Sequence, residues 1–251
     1  MLADGHIVYA AARRLDRLAE LEAKGAIALK MDVTSESDCK TVVAKIIKQQ
    51  KRIDVLINSA GFGLYGAMEE LSIDEAKQQF EVNLFGLARL TQLVLPHMRS
   101  EKSGKIINLS SMGGKIYFPL GSWYHASKFA LEGWSDCLRI ELTQFNIKVV
   151  IIEPGAIATN FGNVTLDSLA KRSANGPYSK MAAGMTKTFK DSYGKNNSSS
   201  SPSVVAKAIV RAVNSNRPKT RYAVGKYAKA SIMLRKILPD KLFDKIVLRS
   251  G

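Results

Sequence analysis

A doubly wound α/β fold, a parallel sheet with helices on both faces, is the architecture this sequence predicts. Three observations predict it. Short runs rich in Val, Ile and Leu recur along the chain with nearly continuous apolar character, as in strands buried on both faces. Helical patterns fall between those runs, the alternation expected of a parallel sheet. The 251 residues, 46% hydrophobic and 24% charged, suit one domain with a substantial core.

The elements can be justified in order. Residues 7–11 and 26–29 read as the first two strands. Ser35-x-x-Asp38 looks like a capping box, and Cys39, Val42, Val43, Ile46 and Ile47 then form one helical stripe. Residues 55–57 read as a strand that runs into Asn58-Ser59-Ala60-Gly61. Ser72-x-x-Glu75 caps a longer helix running towards Pro96, with Asn83 in its middle. The strand 105–109 ends in Asn108-Leu109-Ser110-Ser111, and Tyr124 and Lys128 open the next helix. The strand 148–152 is followed by Pro154-Gly155 and Thr159. Residues 163–203 break the rhythm and end in Asn-Asn and a serine run; a long loop there lies beyond the carboxyl ends of the strands, where it suits a mobile substrate lid. A helix from 203 to about 214 and a strand at 221–224 complete a single domain, 1–251, whose residues 204–251 form a basic C-terminal extension.

Charge is concentrated in that extension. From Lys187 onward there are 15 Lys and Arg against 3 Asp and Glu, so +12 of the formal net charge of +15 lies in the last quarter. A uniformly basic domain points to nucleic acid; a basic tail on a neutral body points instead to an acidic partner surface, anionic lipid or solubility. Apolar residues from Ile232 to Leu248 alternate with Lys and Arg. They form either a helix packed on the domain or an amphipathic helix on a membrane surface. No apolar run is long enough to cross a bilayer, and no signal-peptide pattern opens the sequence. Cys39 and Cys137 lack metal-ligand spacing and read as free thiols of a reducing, cytoplasmic setting; no metal site is expected.

The chemistry centres on Tyr124-His125-Ala126-Ser127-Lys128. A phenol and an ammonium one helical turn apart share a face. A fixed positive charge close to the phenol favours its ionised form, making it a proton donor and acceptor. Ser111 stands thirteen residues upstream.

With Asn58-Ser59-Ala60-Gly61, Val82-Asn83-Leu84-Phe85-Gly86 and Pro154-Gly155 in the same order, residues 4–161 resemble the short-chain dehydrogenase/reductase family, with its Rossmann-like sheet. The resemblance weakens through the C-terminal third. It implies an oxidoreductase moving a hydride between a nicotinamide and a carbonyl/alcohol pair. Tyr124 then transfers the proton, Lys128 lowers its pKa and bonds the nicotinamide ribose, Ser111 orients the substrate oxygen, and Asn83 holds a relaying water. Asn58, Ala60 and Gly61 line the cofactor cleft. Asp32 and Val33 sit against the adenine. Pro154, Gly155, Ile157 and Thr159 meet the carboxamide and pyrophosphate side. The stretch Ala10-Ala11-Ala12-Arg13-Arg14 has no carboxylate for a ribose hydroxyl, so Arg13, then Arg14, favours NADP(H) over NAD(H) through the 2′-phosphate. Phe118, Phe161, Met181 and Met185 hint at an apolar substrate, and similar proteins form homo-oligomers.

Each assignment has a plainer reading. Asn83 could only bond neighbouring backbone, Arg13 and Arg14 could be solvated charges, Asp32 could be a cap, and His125 reads as a bystander. One family feature is missing. The sequence opens at Met1-Leu2-Ala3-Asp4-Gly5, which matches the end of the first helix, so the first strand and the glycine-rich phosphate turn are absent. The expectation is a sheet in which the strands read at Ile7 and at Val55 lose a shared neighbour. The chain is then either a fragment of a longer reading frame or a truncated, non-catalytic scaffold or binding protein of the same family.

Overall fold

The computed structural model describes residues 1–193 and 199–249. Strand β1 (Tyr9–Ala12) and the short helix α1 (Ala19–Glu22) lead to β2 (Ile27–Lys30). Helix α2 (Glu36–Gln50) starts where the Ser35 side chain accepts from the Asp38 amide, as its sequence signature predicts. After β3 (Val55–Asn58) comes α3 (Ile73–Phe80), opened by a complete Ser72–Glu75 capping box. The single long helix expected towards Pro96 is in fact two. A π-helical turn, Glu81–Phe85, separates α3 from α4 (Gly86–Ser100), and Pro96 lies inside α4. Such turns recur at functional sites, and this one holds Asn83. Then follow β4 (Gly104–Leu109), α5 (Ser122–Glu141) and β5 (Ile147–Pro154).

The segment expected to be a long loop is largely helical. Helices α6 (Phe161–Ser173) and α7 (Ser179–Tyr193) occupy it, and residues 194–198 of that expected lid lie outside the described residues. The helices are built on few anchors, Leu169, Ala182, Met185 and Phe189, so their apolar stripe is thin in sequence. Helix α8 (Ser203–Asn214), β6 (Arg221–Val224), α9 (Ala228–Ile237) and α10 (Asp240–Arg249) complete the chain.

All strand pairing within the named strands is parallel. Four strands run in the order β3-β4-β5-β6, while β1 and β2 form a separate pair. Among the described residues no strand bridges β1 and β3. Ile7, read as the start of the first strand, lies ahead of it and is 64% exposed.

Side chains join the two pieces. One core cluster packs Leu29 and Met31 with Val42, Val43, Leu90 and Val94 and with Ile106 and Val149 of the larger sheet. On the opposite face Ile107, Val150 and Ile152 meet Ala208, Ala212 and Val213 of α8. Alternate residues of β4 and β5 are thus apolar toward both layers, which is why those strands read as continuous apolar runs. Cys39 is buried, Cys137 is exposed, and both are free.

Candidate active site

The first two turns of α5 place Tyr124 and Lys128 beneath a cavity of about 630 Å³ at the carboxyl ends of β4 and β5. Both side chains are buried. Ser111, just past β4, hydrogen-bonds the Tyr124 phenol and accepts from the Gly113 amide at 3.0 Å. The Lys128 ammonium donates to the Leu109 carbonyl at 2.9 Å. Burial lowers the lysine to about 8, against the pull of Glu132 one turn on.

The phenol departs from expectation in direction. Burial raises Tyr124 well above its ordinary value, and the Ser111 hydrogen bond offsets part of that. Desolvation outweighs the help expected from Lys128, whose charged head is committed to the Leu109 carbonyl.

Gly61 lies close under the same site. A Cβ there would stand 3.2 Å from Asn83 Oδ1 and 3.7 Å from Lys128 Nζ, so the glycine leaves a bare floor. Asn83 itself is fully buried. Its Oδ1 accepts from the Phe62 amide at 3.1 Å, and its Nδ2 donates to the Phe62 carbonyl and to Ser127 Oγ. The side chain therefore fastens the loop after β3 to α5.

The upper walls are apolar: Phe118, Tyr65, Phe161, Met185, Phe189 and Tyr193 on one side, Leu234, Phe243 and Ile246 on the other. Met181, expected at the mouth, instead faces outward and is not part of the wall.

Among known proteins, the family model described as short chain dehydrogenase matches residues 1–168. The chain belongs to the short-chain dehydrogenase family. A probable short-chain type dehydrogenase/reductase of Helicobacter pylori is 34% identical over 246 residues, 98% of this chain and 89% of that protein. The 3-ketodihydrosphingosine reductase of Bacteroides thetaiotaomicron is 41% identical over 158 residues, 62% of this chain and 57% of that enzyme. A crystal structure of a short-chain dehydrogenase from Streptomyces avermitilis superposes with a TM-score of 0.81 at 33% identity, covering 98% of this chain and 88% of that one. The closed form of serine dehydrogenase complexed with NADP+ gives 0.76 at 25% identity, covering 89% and 86%.

In this short-chain dehydrogenase the residues singled out in the sequence fall into three groups. Ser111, Tyr124, Lys128, Gly61, Pro154, Gly155, Ile157 and Thr159 share the cavity. Arg13, Arg14, Asp32 and Val33 form a second cluster past β1 and β2. There Asp32 accepts from the Thr34 amide at 2.9 Å and its hydroxyl at 2.8 Å. The Thr34 amide, its hydroxyl and the charge of Arg13 hold that carboxyl below its usual range despite burial. Val33 is buried, while Arg13 and Arg14 are exposed. Asn58 and Ala60 do not reach the cavity. The Asn58 amide turns inward, donating to Asn108 Oδ1 at 2.9 Å and Thr91 Oγ1 at 3.2 Å; its neighbours Ser59 and Gly61 line the cavity instead. An amide beside a buried polar row is spent on satisfying that row.

Two residues of the site were not read as functional. His125 Nδ1 lies 2.9 Å from the Gly113 carbonyl, which can only accept. The proton is therefore on Nδ1, and Nε2 accepts from the Phe118 amide at 3.1 Å. His125 so ties both ends of the loop that follows Ser111. Burial lowers its pKa to about 4, keeping it neutral. Gln79, fully buried, accepts from the Leu64 amide and donates to the Phe62 carbonyl. Its spacing of four from Asn83 puts both on one face, the signal that could have found it.

Proposed function

We propose that this oxidoreductase uses NADP(H) and acts on an apolar carbonyl/alcohol pair, with Tyr124 as the acid/base group. The observation that carries the reading is the Tyr124 hydroxyl, bonded to Ser111 at the floor of an apolar cavity with Lys128 buried one turn away. The nicotinamide, when bound, supplies or accepts the hydride. Tyr124 gives the matching proton to a carbonyl oxygen or takes it from an alcohol. Ser111 holds that oxygen by its hydroxyl. Lys128 replenishes positive charge beside the phenol, and a lysine held near pH 8 can itself trade protons in the working range. The aromatic walls exclude water and select apolar substrates.

The residues present fit the nicotinamide half of the cofactor. Gly61 leaves room, and Pro154, Gly155, Ile157 and Thr159 border the same cavity. Arg13 beside Asp32 supplies the charge that suits a 2′-phosphate. Neighbouring structures carry both nucleotides: one serine dehydrogenase is complexed with NADP+, whereas a 7 alpha-hydroxysteroid dehydrogenase is complexed with NADH.

The test is a titration of the purified chain with NADPH and NADH, followed by a screen of aliphatic and cyclic ketones and aldehydes. Saturable binding that prefers NADPH, with turnover of apolar carbonyls, is expected. Tyr124→Phe should lower turnover about 10²–10⁴-fold while leaving nucleotide affinity nearly unchanged. Normal turnover by that variant would sink the assignment. A second reading, a non-catalytic binding member, is favoured by the gap between β1 and β3. Absence of nucleotide binding by folded protein would support it.

A further inference from the structure

Helices α9 and α10 keep an apolar surface that the body of the protein leaves uncovered. Phe243 and Val247 are buried against Ile116, Phe118 and Leu238, and this face anchors α10. Yet Leu242, Ile246 and Leu248 of the same helix are exposed, as are Met233 (58%) and Ile237 (69%) of α9. A helix with one partner needs one apolar stripe; these two carry apolar side chains beyond that need.

The surrounding charge has one sign. Residues 226–249 hold seven Lys or Arg and two Asp. Both acids are engaged, Asp240 by Arg235 at 2.6 Å and Asp244 by the Tyr117 hydroxyl at 2.9 Å. Lys229, Lys236, Lys241, Lys245 and Arg249 are exposed, and no ion pair ties them among the described residues. Apolar side chains ringed by free cations complement a surface that is apolar within and negative at its boundary. An acidic protein would match the charge but would not need so many protruding Ile, Leu and Met side chains.

The cavity opens on this same face. Leu234 and Ile246 line it and are also 39% and 44% exposed. Its apolar wall therefore runs outward onto the uncovered surface. We propose that the α9–α10 face docks on an anionic lipid bilayer, and that the cavity takes its apolar carbonyl or alcohol from the lipid side. The docking stands on the surface alone; the substrate route rests on the oxidoreductase reading above.

The experiment is co-sedimentation of the full chain with vesicles of phosphatidylcholine alone and of phosphatidylcholine mixed with phosphatidylglycerol. The protein should pellet with the mixed vesicles, at least tenfold less with phosphatidylcholine alone, and be released by high salt. Met233→Ser, Ile237→Ser and Leu242→Ser combined touch no wall of the cavity. Checked for native circular dichroism, this variant should lose the vesicles while reducing a short, water-soluble carbonyl at the wild-type rate. Wild-type turnover of a long-chain carbonyl should rise when it is presented in anionic vesicles, and the variant's should not. Wild type remaining in the supernatant, or a variant that pellets equally, would overturn the docking. So would light scattering in which the variant converts a dimer to monomers while neither form binds vesicles, since a second copy would then own the face. Vesicle binding with no turnover of any carbonyl would leave the docking in place and remove the oxidoreductase reading instead.

Discussion

Tyr124, Lys128 and Ser111 were legible in the sequence because their relation is local: a helical spacing and a strand end place them. Their neighbour His125 was not, because its role depends on Gly113 and Phe118, which only the folded loop brings to its two nitrogens. That geometry makes a pH prediction. The folded pKa of about 4 lies below the unfolded value of about 6.5, so the unfolded chain binds the proton first. Stability from neutral His125 is present above pH 6.5 and is lost as pH falls towards 4. His125→Gln can mimic the neutral ring, donating to Gly113 and accepting from Phe118. Its stability at pH 7 should stay close to wild type, and its loss between pH 6.5 and 4 should be smaller; urea midpoints across that range measure it, and parallel curves would refute the argument. Arg13 carries a second prediction. Arg13→Ala should weaken NADPH about tenfold or more through one lost charge-assisted contact, and leave NADH unchanged. Equal losses for both nucleotides would mean that the guanidinium serves something other than the phosphate.

Between elements, backbone contact decides what can be replaced. The end of β5 crosses the turn ahead of α9 so closely that a Cβ on Gly155 would stand 2.0 Å from the Lys226 carbonyl oxygen and 2.9 Å from the Ala228 amide. The Ala156 amide donates to that same carbonyl at 3.0 Å. Neither side can yield as a flexible side chain would. Gly155→Ala should therefore push the turn and α9 away from β5, costing about 1–3 kcal/mol, and should raise the KM for apolar substrates because α9 walls the cavity mouth. An unchanged urea midpoint would show that the turn gives way freely. The strands and the capped helices α2 and α3 were readable because period and cap are local signals. Helices α6 and α7 were not, since their packing against Tyr65 and Tyr124 is long-range and their own sequence is mostly polar. The π-turn at Asn83 was likewise hidden inside a pattern that reads as one helix.

At the scale of the whole molecule, the proposed nucleotide site is divided between two pieces of sheet. Ser111, Tyr124, Lys128 and Gly155 belong to the four-stranded piece, in which β4 and β5 are bonded on both sides. Arg13, Asp32 and Val33 belong to the β1–β2 pair, which joins the rest through the side chains of Leu29, Met31, α2 and α4 rather than through strand hydrogen bonds. A unit with fewer backbone partners opens at lower free energy. Amides of β1 and β2 should exchange hydrogen at least tenfold faster than those of β4 and β5, a difference of about 1.4 kcal/mol or more in opening free energy. A nucleotide spanning both clusters binds only when the pair is in place, so it must stabilise that arrangement in proportion to its affinity. NADPH should therefore slow exchange chiefly in β1 and β2, with little change in the already protected β4 and β5. Uniform exchange across all six strands would show that the side-chain core alone makes the sheet one cooperative unit. Slowing confined to α5 and the Ser111 loop would show that the nucleotide engages the catalytic half alone, leaving Arg13 and Asp32 outside the site.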